Sequence, residues 1–218
     1  MKILAWNCQG IGGNLTVSSL KEQVKLHTPD MVLLLETKTR SQRYGFLKKS
    51  LGMNFMHAVE ARGLSWGLWL FWKEAQHVAL VKYSDFFIEV LVTDDEKGHI
   101  WPFFGIYAST DDKNRKAQWL ALQTRISRCP KACVVMGDFN EILDSSEKQG
   151  GNIRTERSMH DFRSFVADSQ LLDLGFEGYP FTWRNRRQEG GIHERLDRGL
   201  GSALWLRYYP EATVSQEC

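Results

Sequence analysis

The apolar and polar positions of the chain alternate between helical and strand periods, with a block of consecutive strands in the middle. Lys2 to Cys8, KILAWNC, predicts a first strand running to Gly10, turned by Gly12-Gly13. Val17, Leu20 and Val24 recur at three- and four-residue spacing, so Leu15 to His27 reads as an amphipathic helix, with Pro29 just past its end. Met31 to Leu35 is an unbroken apolar run, the pattern of a strand buried on both faces. Gln42 to Leu51 predicts a second helix, stopped by Gly52. Five strands are then expected: Phe55 to Val59, Leu68 to Trp72, His77 to Tyr83, Phe86 to Val92 and Ile100 to Tyr107. Helical spacing returns over Arg115 to Ser127 and Met159 to Ser169, with the strand Cys133 to Met136 between them. Phe181 to Arg184 and Arg195 to Leu200 read as paired strands around Gly190-Gly191, and Ala203 to Tyr208 as a short last helix. Helices layered on two packed sheets satisfy this order. A single Rossmann sheet does not, because the middle strands lack helices between them. Neither GxGxxG after a strand nor a P-loop occurs.

Several apolar runs end in polar residues. Asn7 follows Trp6, Glu36 follows Leu35, Tyr107 follows Gly105-Ile106, and Asp197 lies in Arg195-Leu196-Asp197. The strongest case is GDFNE, where Asp138 and Asn140 follow the strand Cys133 to Met136. Ligands in α/β sheets gather past strand C-termini. An extended chain would send Asp138 and Asn140 to one side and Phe139 to the other. A carboxylate beside a neutral amide suits a phosphate, since one can take a proton and the other can donate without adding charge. A plain Asp-x-Asn turn bonded to its own backbone is the other reading, and both stay open at this level. If the strand ends converge, they form a cup suited to Mg²⁺ or Mn²⁺ and a phosphodiester.

Composition narrows the class. A chain of 218 residues, 43% hydrophobic, with no linker-like stretch or internal repeat, fits one domain over 1–218 with a sizeable core. A net charge of +2 and a pI near 8.3 permit a nucleic-acid partner without demanding one. The four cysteines, Cys8, Cys129, Cys133 and Cys218, form no CxxC and no zinc spacing, so free thiols in a reducing compartment are expected. No apolar run approaches the roughly 18–20 residues of a membrane span, and no secretory leader opens the chain. An intracellular location is expected, nuclear if the chain is functional.

The order WNCQG, LLLETK, GIY, GDFNE and ERLDR resembles that of the endonuclease/exonuclease/phosphatase superfamily. WNCQGIGG, GDFNEIL followed by KQGG, and GYPFTWRN followed by ERLDRGL resemble most closely the endonuclease domain of plant LINE-type non-LTR retrotransposons. The resemblance covers Met1 to about Val214. It implies a four-layer α/β/β/α sandwich, the fold of deoxyribonuclease I, acting on the phosphate backbone of DNA with Mg²⁺ or Mn²⁺; no obligate protein partner is evident. By the same resemblance, Glu36 is the direct metal ligand, paired with Asn7. Tyr107 contacts the scissile phosphate, Asp138 orients or deprotonates the attacking water, and Asn140 holds a phosphate oxygen. Thr182 contacts substrate, and Asp197 orients a histidine near the family's C-terminal end.

The sequence departs from that pattern in three places. The family closes on Ser-Asp-His, and this triplet does not occur in the 218 residues. The expectation is therefore a C-terminally truncated chain, without the last core strand or strands, inactive or weak as it stands. A non-catalytic nucleic-acid-binding relic is the alternative, and a small phosphate-ester phosphatase a more distant one. Trp66 stands where relatives carry a small residue in an SGGL-like turn, and Ser109-Thr110 follows Tyr107 where many carry Pro-Asn. Among basic clusters, Lys48-Lys49 and Arg195 with Arg198 are expected on a solvated face. Arg184, Arg186 and Arg187, in a loop between motif-bearing strands, are expected to contact phosphates.

Overall fold

The structure, a computed structural model, describes residues 1–61, 66–74, 76–185 and 191–216. By its own contacts the chain divides into two compact units, Met1–Tyr107 and Ala108–Cys218.

The first unit opens with strand β1 (Ile3–Asn7), helix α1 (Asn14–His27) and strand β2 (Met31–Leu35). Leu20 and Val24 are the buried stripe of α1, and Thr28 ends the helix in the left-handed region at φ 47°, just before Pro29. The second predicted helix is split into a 3-10 turn over Ser41–Tyr44 and helix α2 (Gly45–Ser50). Strands β3 (Phe55–Val59) and β4 (Leu68–Trp72) complete a sheet of order β1-β2-β4-β3, in which only the β1–β2 pair is parallel. All five residues of β2 and of β4 are buried, as continuous apolar runs require. Strands β5 (Val78–Tyr83), β6 (Phe87–Asp94) and β7 (His99–Tyr107) form an antiparallel meander.

Val32, Leu34, Trp69 and Phe71 pack with Leu20, Val24 and Leu47 of the helices in one core cluster. The alternate residues of β2 and β4 face β6 and β7. Gly105 permits that approach: a Cβ there would come 2.7 Å from Leu33 Cδ1. The first unit is therefore layered helix, sheet, sheet.

The second unit contains helix α3 (Asp112–Ile126), strand β8 (Val134–Asp138), the two-residue strand β9 (Lys148–Gln149), helix α4 (Glu156–Asp168) and strand β10 (Leu171–Asp173). The short strands β11 (Glu177–Gly178), β12 (Trp183–Asn185) and β13 (Ile192–Glu194) follow, then β14 (Asp197–Ser202), helix α5 (Ala203–Tyr208) and β15 (Ser215–Gln216). Both long helices start on a side-chain cap: Asp111 accepts from the Asn114 N–H and Thr155 from the Ser158 N–H. Trp119 of α3 lies 5.3 Å from Phe162 and 4.9 Å from Phe165 of α4, and Phe139 closes the group at 5.2 Å from Phe162. Strand β14 is central, antiparallel to β8 on one side and β10 on the other.

Strand pairing corrects the sequence reading here. The segment around Trp183 pairs with Ile192–Glu194, not with the strand after Arg195, and β13 pairs further with β9. Asp197–Ser202 instead joins the GDFNE strand. Gly190 lies outside the described residues. The α/β class, sheets flanked by helices, is as the pattern predicts. No helix among the described residues is long and apolar enough to cross a membrane.

Candidate functional site

In the first unit the site candidates meet on one carboxylate. Parallel pairing sets Asn7 beside Leu35, so Glu36 emerges next to the Asn7 side chain. Asn7 Nδ2 donates to Glu36 Oε1 at 3.0 Å, and the Tyr107 hydroxyl donates to the same oxygen at 3.1 Å. Oxygen Oε2 takes the Lys38 ammonium at 2.8 Å. Glu36 and Lys38 both have φ of 53°, so the chain curls back and sets a lysine two residues on against its own carboxylate. Asn7 is steadied in turn, its Oδ1 accepting the Gln9 N–H at 3.3 Å. Cys8 faces inward, its thiol donating to the Leu35 carbonyl at 3.2 Å. Burial pushes this thiol up to about 11, so it stays protonated at neutral pH and is no nucleophile.

The donor chemistry of this cluster fits a hard cation. Mg²⁺ takes oxygen ligands, usually one or two carboxylates with phosphate and water supplying the rest. Glu36 and the Asn7 amide are oxygen donors of that kind. Among the described residues no group of three or more His, Cys, Asp or Glu could hold a metal. Glu36 and Asn7 are the residues of this cluster that would hold such a cation.

The second unit holds Asp138, Asn140, Thr182 and Asp197. Asp138 is 2% exposed, at the end of β8, directly across from Asp197 in the β14 register. Opposed residues of an antiparallel pair send their side chains to the same face, so two carboxylates share a face here. Chain turning, not strand alternation, places Asn140: its φ is 49°, and its N–H donates to Asp138 Oδ1 at 2.8 Å. This corrects the extended geometry expected for the pair. The local Asp-x-Asn turn is real, and it frames the two side chains. Phe139 is anchored in the aromatic core between them. Asn140 Nδ2 donates to the Ala108 carbonyl at 2.7 Å. The Thr182 hydroxyl accepts the Leu196 and Asp197 N–H groups, each at 2.9 Å, and so fixes the backbone that carries Asp197.

A buried ionic frame surrounds these residues. Arg115 donates to the Ser109 and Thr110 carbonyls at 3.0 and 3.2 Å and to Glu141 at 2.6 Å, tying the segment after Tyr107 to the residue after Asn140. Ser158 also hydrogen-bonds Glu141. Arg195 and Arg198, expected on a solvated face, are buried instead. Both bind Glu147 and Asp173, over 2.7–3.0 Å. Burial alone would raise these two carboxyls, but the guanidinium bonds and charges hold Glu147 and Asp173 below their ordinary range. Their fork geometry matches carboxylates two at a time, which a bare cluster of Arg in a sequence does not reveal.

Arg184 is exposed on β12, consistent with a role at the surface. Arg186 and Arg187 lie outside the described residues. Lys38, Arg115 and Glu141 were not singled out from sequence. ETK and GDFNE contain two of them, but their roles depend on left-handed turns and distant partners that no spacing carries.

Residues 4–214 match the model of the Endonuclease/Exonuclease/phosphatase family. A search of curated proteins found no match. Among solved structures, the chain is similar to the endonuclease domain of TRAS1, a telomere-specific non-LTR retrotransposon. Identity is 14%, with 94% of this chain and 87% of that one covered and a TM-score of 0.66. It is similar to the 3' phosphatase NExo from Neisseria bound to product DNA hairpin, at 18% identity, covering 94% and 87%, with a TM-score of 0.66. An AP endonuclease from Archaeoglobus fulgidus matches at 14% identity, covering 93% and 86%, with a TM-score of 0.71. Identities this low speak for the fold alone, a mixed α/β fold with sheets flanked by helices. Because the family pattern runs through nearly every strand and helix described above, the chain belongs to the endonuclease/exonuclease/phosphatase family.

Proposed function

We propose that the chain is a divalent-metal-dependent phosphodiesterase that nicks DNA. The observation that carries this reading is Glu36, a carboxylate at the end of a fully buried strand that gathers an amide, a phenol and an ammonium. A buried strand needs none of these groups, whereas a phosphate with a hard cation uses all of them. Mg²⁺ or Mn²⁺ held by Glu36 with Asn7 would stabilise charge developing on the phosphate oxygens. Tyr107 contacts the scissile phosphate through its hydroxyl. Asp138, fixed by the Asn140 N–H, orients the attacking water and takes its proton. Asn140 donates to a phosphate oxygen with the Nδ2 hydrogen not used on Ala108. Thr182 and Arg184 meet the backbone of the DNA, as do Arg186 and Arg187 by their place in the same stretch of sequence, and Asp197, across from Asp138 in the strand register, takes the place of the aspartate that orients a histidine in the family the chain resembles.

The DNA partner is supported by the Neisseria relative, which is seen with a product DNA hairpin. The WNCQGIGG, GDFNEIL and ERLDRGL motifs and the likeness to the TRAS1 domain support an origin in a LINE-type retrotransposon of plant texture. In that setting the nick primes reverse transcription and the work is nuclear. No Ser-Asp-His occurs in the 218 residues, so the polypeptide as it stands is expected to turn over slowly. One missing general acid–base group costs about 10²–10⁴-fold.

Supercoiled plasmid tests this. Slow nicking with Mg²⁺, abolished by EDTA and reduced at least about 100-fold by Asp138→Asn, is the expected result. Asn can keep the bond from the Asn140 N–H, so the loss reports chemistry more than folding. No nicking at any protein concentration, or nicking that survives Asp138→Asn, refutes the proposal.

A further inference from the structure

Near Glu36 stands an exposed aromatic residue, Trp66, joined to it through Lys38. Trp66 occupies the segment just before β4. Its placement is built, not incidental. The Lys38 N–H donates to the Trp66 carbonyl at 2.9 Å, and the Thr37 N–H to the Gly67 carbonyl at 3.4 Å, so the two segments run pinned side by side. Gly67 has a φ of 83°, and a Cβ there would come 2.5 Å from Thr37 Oγ1, so only glycine allows this approach. The Lys38 ammonium then lies 4.4 Å from the centroid of the Trp66 ring and 2.8 Å from Glu36 Oε2. One cation thus links an indole to the carboxylate that gathers Asn7 and Tyr107.

Trp66 is 38% exposed, whereas Trp69 and Phe71 on the next strand are fully buried. It contributes little to the core. A cation over one face of an indole holds the ring in orientation, and an aromatic side chain held in advance binds with less ordering cost. Every nucleobase has a π-face, and aromatic platforms beside cationic backbone sites are how proteins hold unpaired nucleotides.

We propose that Trp66 is a stacking platform for an unpaired nucleobase next to the phosphate handled at Glu36, so that the site prefers single-stranded or locally melted nucleic acid to closed duplex. This rests on the reading of Glu36 as a phosphate-site carboxylate, and its test is separate from turnover. The measurement is fluorescence anisotropy of a labelled single-stranded oligonucleotide, and of the same sequence as a duplex, in EDTA at several salt concentrations. Trp66→Ala is expected to weaken single-strand binding about tenfold, within the range for one base–aromatic stack, and to change duplex binding less than about twofold. Trp66→Phe should restore most of the loss, and the salt slope should not change, because stacking releases no counterions. Thermal melts of both variants establish that the fold is kept. Equal single-strand affinity for Trp66→Ala, or equal losses on single strand and duplex, overturns the platform while leaving the nicking result untouched. A wild-type chain that binds no single strand overturns it as well.

Discussion

Asn140 shows how much one residue must satisfy at once. It sits at a φ of 49°, a region most L-residues avoid, and donates a buried side-chain hydrogen bond to Ala108 at 2.7 Å. Asparagine is among the few side chains that tolerate the left-handed region and still carry a donor. Asn140→Ala should therefore lose stability on two counts, the backbone conformation and an unsatisfied carbonyl, together about 2–4 kcal/mol. Asn140→Gly removes the first and keeps the second, so it should be the milder change. Urea unfolding of both variants separates the terms, and equal midpoints for Ala and wild type would show that neither matters. The same residue marks the limit of sequence reading at this scale. Asn7, Glu36, Tyr107, Asp138 and Asn140 were legible as candidates because each is polar at or just past the end of an apolar run. The left-handed turns at Glu36 and Lys38 leave no trace in hydropathy, so the Lys38 contact was not.

At the scale of elements, the lesson lies in strand β14. Its sequence, DRGLGS, predicts a strand well enough. Its partners depend on residues some sixty positions away in the GDFNE strand and on Leu171–Asp173, and a short polar strand says little about them. The nearby Gly190-Gly191 favoured a pairing of the segment around Trp183 with the strand after Arg195, but Trp183–Asn185 pairs with Ile192–Glu194 instead. Tertiary context also decides what an arginine does. Arg198 is 2% exposed and bonded to Glu147 and Asp173, whereas Arg184 is exposed. Removing one partner of a buried ionic group strands the others, so Arg198→Met should cost about 3–5 kcal/mol. Arg198→Lys should recover only part of this, since a point charge cannot reproduce the fork. Arg184→Ala should leave stability within about 0.5 kcal/mol. Its effect should appear in DNA binding, as a salt slope smaller by about one. Thermal melts and salt-dependent affinities on the same two proteins check the contrast. A destabilised Arg184→Ala, or an unaffected Arg198→Met, would contradict it.

At the scale of the whole chain, alternating helical and strand periods were enough to predict the α/β class and most element positions, since burial periodicity is written into every element. Its division at Tyr107–Ala108 was not, because no linker or change of composition marks it. The division has a consequence for acid stability. Glu147, Asp173 and Glu194 all belong to the second unit. In each, burial pushes the carboxyl up, but arginine or lysine partners outweigh it and hold the folded value below the ordinary 4.5 or 3.8. Where the folded form titrates lower than the unfolded one, the unfolded chain binds more protons, and stability rises with pH across that interval. These groups thus contribute fully above about pH 4.5, the ordinary glutamate value, and their contribution fades as the pH falls through the lowered folded values. Hydrogen exchange followed below pH 4.5 should therefore show residues 108–216 losing protection before residues 1–107. Arg198→Met, which weakens the charge that keeps Glu147 and Asp173 ionised, should move that loss to higher pH. Exchange that accelerates uniformly over both units, or an acid limb that Arg198→Met leaves in place, would mean that these buried carboxylates do not set the acid stability of the chain.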